Sequence, residues 1–310
     1  MRLGVAILFA LLCSSGAAAG DRLNRILNRV SEEAEVFRML APQVVGRETL
    51  RQKSRKNPGR FRLRVGDDAL KPPQPKYKTR ELVSEYGFST VAEAPGALLE
   101  LRQIVSIDGR QVVDQRKARE TLTLGLKNND DRAKKRMLRR FEKLGLSGAA
   151  TDFGQVLLLF RRGNLERYEF SIEGVDRLGA DEVIVLRFTQ RKGPEAFTVF
   201  RGRESLHARL SGEIWVRSAD FLPLRVDMST GIDNGKFVTM HRGAVNYFRS
   251  AHSVMLPASV TYRQEVDGEL LVENIASYSD FQMFSVDAAI TFAPATDEDA
   301  PQLAEPPPEP

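Results

Sequence analysis

The sequence is nearly without cysteine: Cys13 is the only one among 310 residues. One cysteine excludes an intrachain disulfide framework and any structural zinc site built from several thiolates. The motifs of zinc proteases, serine hydrolases and phosphate-binding loops (H-E-x-x-H, G-x-S-x-G, G-x-x-x-x-G-K and G-x-G-x-x-G) are also missing. With 42% hydrophobic residues, however, the chain can bury a large core, which excludes global disorder.

Histidine is scarce as well, and its spacing argues against a catalytic or metal centre. His207, His241 and His252 are separated by 34 and 11 residues, which matches no helical metal motif. We expect all three to lie exposed on strands or loops. Ser205 and His207 could share a strand face, but a serine nucleophile also needs an oxyanion hole. The sequence therefore predicts no enzyme, no metal and no cofactor.

Long apolar runs are missing except at the N-terminus. There a short basic start precedes an apolar run from Leu3 to Cys13, and small residues follow with an Ala-x-Ala context at 17–19. This is the order of a secretory signal peptide, and the run is shorter than the roughly 20 residues that span a bilayer. We predict a signal peptide over residues 1–20 and a periplasmic or secreted protein. A retained anchor and lipidation at Cys13 are the alternatives, although Leu12 stands where a lipobox has a small residue.

Charge is unevenly distributed in a chain of net charge +5. Residues 294–310 contain six prolines and five carboxylates without a basic residue, so we expect a disordered acidic tail. Basic side chains gather in residues 47–64 and 132–143. For an exported chain, an anionic membrane surface or an envelope polymer is a more accessible partner than nucleic acid. A solvated basic face without a partner is the alternative.

Two regions have the apolar period of amphipathic helices. The first ends at Leu40, before Pro42, and the second is clearest over residues 130–144, with Gly145 as its expected left-handed cap. Asn128 and Asn129 are expected to divide the second region into two helices. The apolar side of the later helix carries the candidate lid residues Met137, Leu138 and Phe141, for which ordinary packing against a sheet is the alternative.

The remaining pattern is that of strands. Asp108-Gly109, Asn234-Gly235 and Asp267-Gly268 each favour a tight hairpin, and a change of apolar phase at Gly243 predicts a β-bulge. Weaker strand signals lie within 44–55 and from Arg60 to Val65, and Leu98–Val113 forms the first predicted hairpin. Further predicted strands are Gln155–Phe160, Tyr168–Ile172, Val183–Gln190, Ala196–Phe200, Ser211–Arg217, Leu222–Thr230, Lys236–Phe248, Ala258–Gln264 and Leu270–Tyr278.

Short connections between these strands favour antiparallel pairing. We therefore predict an α+β domain over residues 21–293, in which a curved antiparallel β-sheet or incomplete β-barrel is covered by the amphipathic helices. Whether the interior is solid or hollow does not follow from periodicity.

One hairpin carries a family resemblance. Gly212-Glu213-Ile214-Trp215-Val216, followed by Leu222-Pro223-Leu224-Arg225, resembles a hairpin of the LolA/LolB-like superfamily of exported lipoprotein carriers. The resemblance implies an incomplete antiparallel barrel with a helical lid over an apolar cavity that receives acyl chains. It covers roughly residues 150–280 and the N-terminal helix, and it assigns no binding residue, because Trp215 and Leu222-Pro223-Leu224 have structural roles in such a hairpin.

Two functions follow, and the sequence leaves both open. The first is a non-enzymatic binding protein for a lipid, a lipoprotein acyl chain or another apolar ligand. The second is an envelope structural or interaction protein with a solid core. For the first, the expected lining of the interior is Ile184, Leu186, Phe188, Met228, Met240 and Tyr262.

Overall fold

The computed structural model describes residues 5–56, 74–91, 96–127, 131–146, 152–201, 204–233 and 235–284. Three α-helices lie in these parts of the chain. They are α1 (Val5–Leu40), α2 (Gln115–Lys127) and α3 (Asp131–Lys143). Short 3-10 helices occupy Ala41–Gln43, Val156–Phe160 and Arg162–Arg167. None of the helices in the described residues is long and apolar enough to cross a membrane.

Thirteen strands follow the same chain order. They are β1 (Val44–Arg55), β2 (Tyr77–Thr90), β3 (Leu98–Ile107), β4 (Arg110–Gln111), β5 (Tyr168–Leu178), β6 (Asp181–Gln190), β7 (Phe197–Arg201), β8 (Glu204–Ala208), β9 (Ser211–Arg217), β10 (Pro223–Asp233), β11 (Val238–Arg249), β12 (Met255–Val266) and β13 (Glu269–Met283).

Eleven of these strands form one antiparallel sheet in the order β4-β3-β2-β1-β13-β12-β11-β10-β9-β6-β5. Most neighbours are consecutive in sequence, but β1 joins β13 and β6 joins β9. The hairpin β7–β8 is inserted between those last two strands and stands apart as a two-stranded sheet. The sheet is curved and is not closed into a barrel, so the predicted α+β fold is confirmed in its open form.

The inner face of the sheet holds the main core. Helix α1 buries Ile26, Val30, Ala34 and Phe37 along one side, at the spacing of a helix packed on a surface. Phe37 meets Phe88 of β2 edge to face, with ring centroids 5.1 Å apart. The same helix packs on the 3-10 turn Val156–Phe160 and on β12. Helix α1 therefore covers one part of the concave side.

Helix α2 covers the opposite, outer face near one end of the sheet. It packs Leu122 and Leu126 on Val45 and Leu101, which form a second and smaller core. Gly87 of β2 permits this contact, because a Cβ there would lie only 2.9 Å from Leu126 Cδ1. Residues 84–89 of β2 are thus buried on both faces between α1 and α2.

Two strand-level predictions are wrong. The apolar run Gln155–Phe160 forms a 3-10 turn rather than a strand. No bulge lies at Gly243, which pairs regularly with Met228 and Tyr262. The register of β11 with β12 shifts after Asn246 instead.

The sequence patterns also missed β2 altogether. Several predicted features lie wholly or partly outside the described residues: the strand Arg60–Val65, the pair Asn128-Asn129, the acidic tail and the start of the predicted signal peptide. Helices α2 and α3 nevertheless confirm two helices in the second helical region.

Candidate functional site

A cavity of about 690 Å³ opens on the concave side of the sheet, beyond the part covered by α1. One wall is the inner segment, defined as residues 152–160, together with Arg161 and Asn164. The other walls come from the start of β3 and from Phe197 of the β7–β8 hairpin. Its apolar lining consists of Ala97, Leu98, Phe153, Val156, Leu158, Leu159, Ala196, Phe197, Leu210 and Met228. The volume and lining are typical of small-ligand sites.

The inner segment is fixed to the sheet by hydrogen bonds from its backbone. Tyr247 Oη donates to the Gly154 carbonyl at 3.1 Å and accepts from the Leu157 N–H at 3.2 Å. The Gln155 N–H donates to Glu100 Oε1 at 3.2 Å. These contacts satisfy backbone groups that burial would otherwise leave unpaired. They hold the apolar run in its turn conformation and shape one wall of the cavity.

Polar groups stand at the edge of the cavity beside Arg161. The Arg161 Nε donates to Glu35 Oε1 of α1 at 2.9 Å, and its Nη1 points to the Gly96 carbonyl at 3.5 Å. Burial acts to raise the pKa of Glu35, but hydrogen bonds from Arg38 and Arg161 outweigh it and lower that pKa. The cavity is therefore apolar inside and carries a partly exposed guanidinium at its edge.

A buried charge cluster lies directly behind the inner segment. Arg102 of β3 donates from Nε to Glu48 Oε2 at 2.8 Å and from Nη2 to Glu100 Oε2 at 2.7 Å. Tyr278 Oη donates to Glu48 Oε1 at 2.9 Å. Burial raises the pKa of Glu100 to about 7, against the attraction of Arg102. The buried guanidinium of Arg102 is thus paired with carboxyl groups on two strands, which is the condition for burying a charge at tolerable cost.

The same cluster reaches α3 through Asp152. Asp152 lines the cavity, accepts from the Glu100 N–H at 3.2 Å, and forms an ion pair with Lys134 of α3. Lys134 also donates to the Glu100 carbonyl at 2.9 Å. A helix outside the cavity is therefore tied to the residue at which the inner segment begins.

Aromatic side chains form the side of the cavity towards β11 and β12. Phe153 lies 6.4 Å from Phe197 and 5.2 Å from Tyr262, measured between ring centroids. Tyr262 Oη and His241 Nδ1 are 2.8 Å apart. His241 is only 3% exposed, which corrects the expectation that all three histidines are exposed, and burial lowers its pKa. His207 and His252 are exposed.

Three predicted lining residues lie in filled core rather than beside the cavity. Ile184, Leu186 and Phe188 of β6 are fully buried and point inward together, as their alternation predicts. Phe188 packs edge to face on Phe160 of the inner segment, with centroids 5.0 Å apart. The apolar run that was expected to add a strand instead folds over these side chains and fills the space in front of them.

The other predicted residues are divided among different surfaces. Met228 lines the cavity, and Tyr262 stands behind Phe153. Met240 is on the outer face, where its Sδ lies over Gly231, because β11 keeps its odd-numbered residues inward throughout. Of the candidate lid residues, Met137 and Phe141 are buried in the lining of a separate groove, whereas Leu138 of the same helix is 36% exposed.

The described residues contain no group of three or more His, Cys, Asp or Glu side chains that could hold a metal ion. Sequence reasoning missed Leu158, Leu159, Arg161 and Phe197 as cavity residues. The sequence feature that could have indicated them is the apolar run at 156–160. Because this run does not alternate between apolar and polar residues, it is compatible with a buried turn as well as with a buried strand.

The chain matches no family model and no curated protein. Solved structures to which it is similar include the following three, each at 11% identity. They are a DUF1329 family protein from Desulfovibrio piger (83% of this chain, 91% of that one, TM-score 0.36), a LolA superfamily protein from Nitrosomonas europaea (83% and 92%, TM-score 0.32), and a domain assigned to outer-membrane lipoprotein sorting from Vibrio parahaemolyticus (82% and 90%, TM-score 0.32).

Proposed function

We propose that the protein is an exported, non-enzymatic binding protein for a lipid, a lipoprotein acyl chain or another apolar ligand. The observation that carries the proposal is the cavity of about 690 Å³, whose lining is mainly aliphatic and aromatic. Transfer of an apolar ligand from water into such a space is favourable by about 25 cal/mol per Å² of buried surface. The signal-like segment at residues 1–20 supports export to the periplasm or the exterior.

A cavity-filling substitution tests this function. Ala196→Trp should place an indole in the cavity and weaken ligand uptake by about tenfold or more, since the added ring occupies the ligand's space. The matched control is Ala244→Trp, on the outer face of β11 and away from the cavity. Uptake is measured by titration with a fluorescent fatty acid, and native mass spectrometry of the exported protein shows whether lipid co-purifies.

A wild-type protein that takes up no probe and carries no lipid would contradict the proposal, and so would equal losses in both variants. That result would favour the second candidate, an interaction protein with a solid core. The fully covered side chains of Ile184, Leu186 and Phe188 are the observation in its favour. Its own test is salt-dependent capture of another envelope component. The sequence also predicted an anionic membrane surface as a partner. Such a surface would have to bind basic side chains that lie outside the cavity.

A further inference from the structure

Helices α2 and α3 concentrate the positive charge of the chain. Residues 115–143 contain eleven Lys and Arg against four Asp and Glu, a net charge of +7 in a chain whose total is +5. The rest of the sequence is therefore slightly acidic. Charge of this density creates a local field that attracts anionic surfaces.

Some of these basic side chains form no ion pair with the residues that the structure describes. Arg119 pairs with Glu85, and Lys134 pairs with Asp152. Arg136 and Arg140 contact no carboxylate among the residues that the structure describes. Both lie on the rim of a groove of about 430 Å³ between α2, α3 and β3.

Apolar side chains accompany these arginines. The groove between them is lined by Leu122, Met137 and Phe141, and α2 adds Leu124, which is 59% exposed. The helices approach closely at Gly125 and Ala133, where a Cβ on the glycine would lie 3.5 Å from that of the alanine. The result is one surface with exposed leucines set among guanidinium groups.

We propose that this α2–α3 surface binds an anionic phospholipid bilayer, with Arg136 and Arg140 on the headgroups and Leu124 at the acyl boundary. Each basic residue near an anionic leaflet adds to the attraction, and exposed leucine gains from contact with lipid. A soluble polyanion could form ionic contacts with the arginines, but it has no apolar part for Leu124 to contact. The combination of charge and apolar exposure therefore selects a bilayer as the partner. This surface shares no lining residue with the main cavity.

Vesicle flotation tests the proposal on the exported full chain. Vesicles of phosphatidylcholine with phosphatidylglycerol should carry the protein at about 0.1 M salt, where charges act over about 10 Å, and release it at about 1 M. Vesicles of phosphatidylcholine alone should not carry it. The double variant Arg136→Glu/Arg140→Glu should lower partition onto anionic vesicles at least about tenfold, and Leu124→Ser about threefold.

The control makes the same change of net charge elsewhere. Arg177→Glu/Lys192→Glu alters two exposed residues at the β5–β6 edge, far along the sheet order from β3, and should change partition less than about twofold. Equal losses in both double variants, or no loss in the first, would overturn the proposal. So would retention of the protein on dextran sulfate without any binding to anionic vesicles.

Fatty-acid uptake separates this surface from the cavity. Arg136→Glu/Arg140→Glu should keep uptake within about twofold of wild type, whereas Ala196→Trp should keep vesicle binding. Failure of uptake alone would count against the proposed function and leave the membrane surface intact. Loss of both activities in the arginine variant would contradict the proposal, since it would show damage beyond the surface.

Discussion

Gly154 is the residue at which the inner segment comes close to side chains of β2 and β3. A Cβ at this position would lie 2.6 Å from Tyr86 Oη and 3.1 Å from Glu100 Oε1. Both neighbours are fully buried, so neither can move away into solvent. The hydrogen atom of glycine is what allows the segment to approach the charge cluster.

Gly154→Ala should therefore destabilise the protein by about 1–3 kcal/mol through overpacking. Gly163→Ala is the matched control, because it lies in the next 3-10 turn and a Cβ there meets nothing within 4 Å. Urea unfolding of the two variants measures the difference. Equal stabilities would show that the inner segment packs less tightly than the distances indicate.

The conformation of a single residue could be predicted where the residues that it contacts are close to it in sequence. Asp108-Gly109 and Asp267-Gly268 were predicted as hairpins, and all four residues adopt positive φ. Gly145 also takes the left-handed conformation expected of a helix cap. Gly154 gave no such signal, because Tyr86 and Glu100 come from distant parts of the chain.

The sequence predicted those helices and strands that have one apolar and one polar face. Helix α3 and strand β9 match their expected positions closely. Strand β2 was missed because α1 and α2 cover both of its faces, and several buried positions are polar, including Ser84 and Glu85. The cavity could not be predicted because its wall depends on contacts between distant parts of the chain. The inner segment is a continuous apolar run in the sequence, and its turn conformation is set by contacts with β3 and β11.

Tyr247→Phe tests how the inner segment is held. The change leaves the Gly154 carbonyl and the Leu157 N–H without their partner and should cost about 2–3 kcal/mol. Amide hydrogen exchange should accelerate in residues 152–160 before it does in the sheet. Tyr168→Phe is the control, since no hydrogen bond to its hydroxyl is seen among the described residues. Unchanged exchange in the segment would contradict this account.

At the scale of the molecule, the buried cluster around Arg102 joins strands that are far apart in sequence. Glu48 lies on β1, Glu100 and Arg102 on β3, and Tyr278 on β13. A change in the ionisation of this cluster should therefore change the free energy of unfolding of the whole sheet. The sequence predicted the sheet, but not this cluster, because alternation assigns inward positions to apolar side chains.

The contribution of Glu100 to stability should fall as pH rises from about 4.5 to 7. The pKa of Glu100 is raised to about 7 in the folded state, so folding is favoured while this carboxyl stays protonated and loses that contribution as pH passes 7. Glu100→Gln should flatten the decline by up to about 3 kcal/mol, measured by urea unfolding at pH 5 and pH 8. His241, with a lowered pKa, acts oppositely below about pH 6.5. Parallel wild-type and variant curves would refute the assignment to Glu100.

The division of the concave side limits the size of any cargo. The inner segment occupies the space before β6, and about 690 Å³ remains beside β10 and the β7–β8 hairpin. That volume suits one ligand of ordinary small-molecule size. A multiply acylated anchor would have to leave some of its tails in water or displace the turn at 156–160.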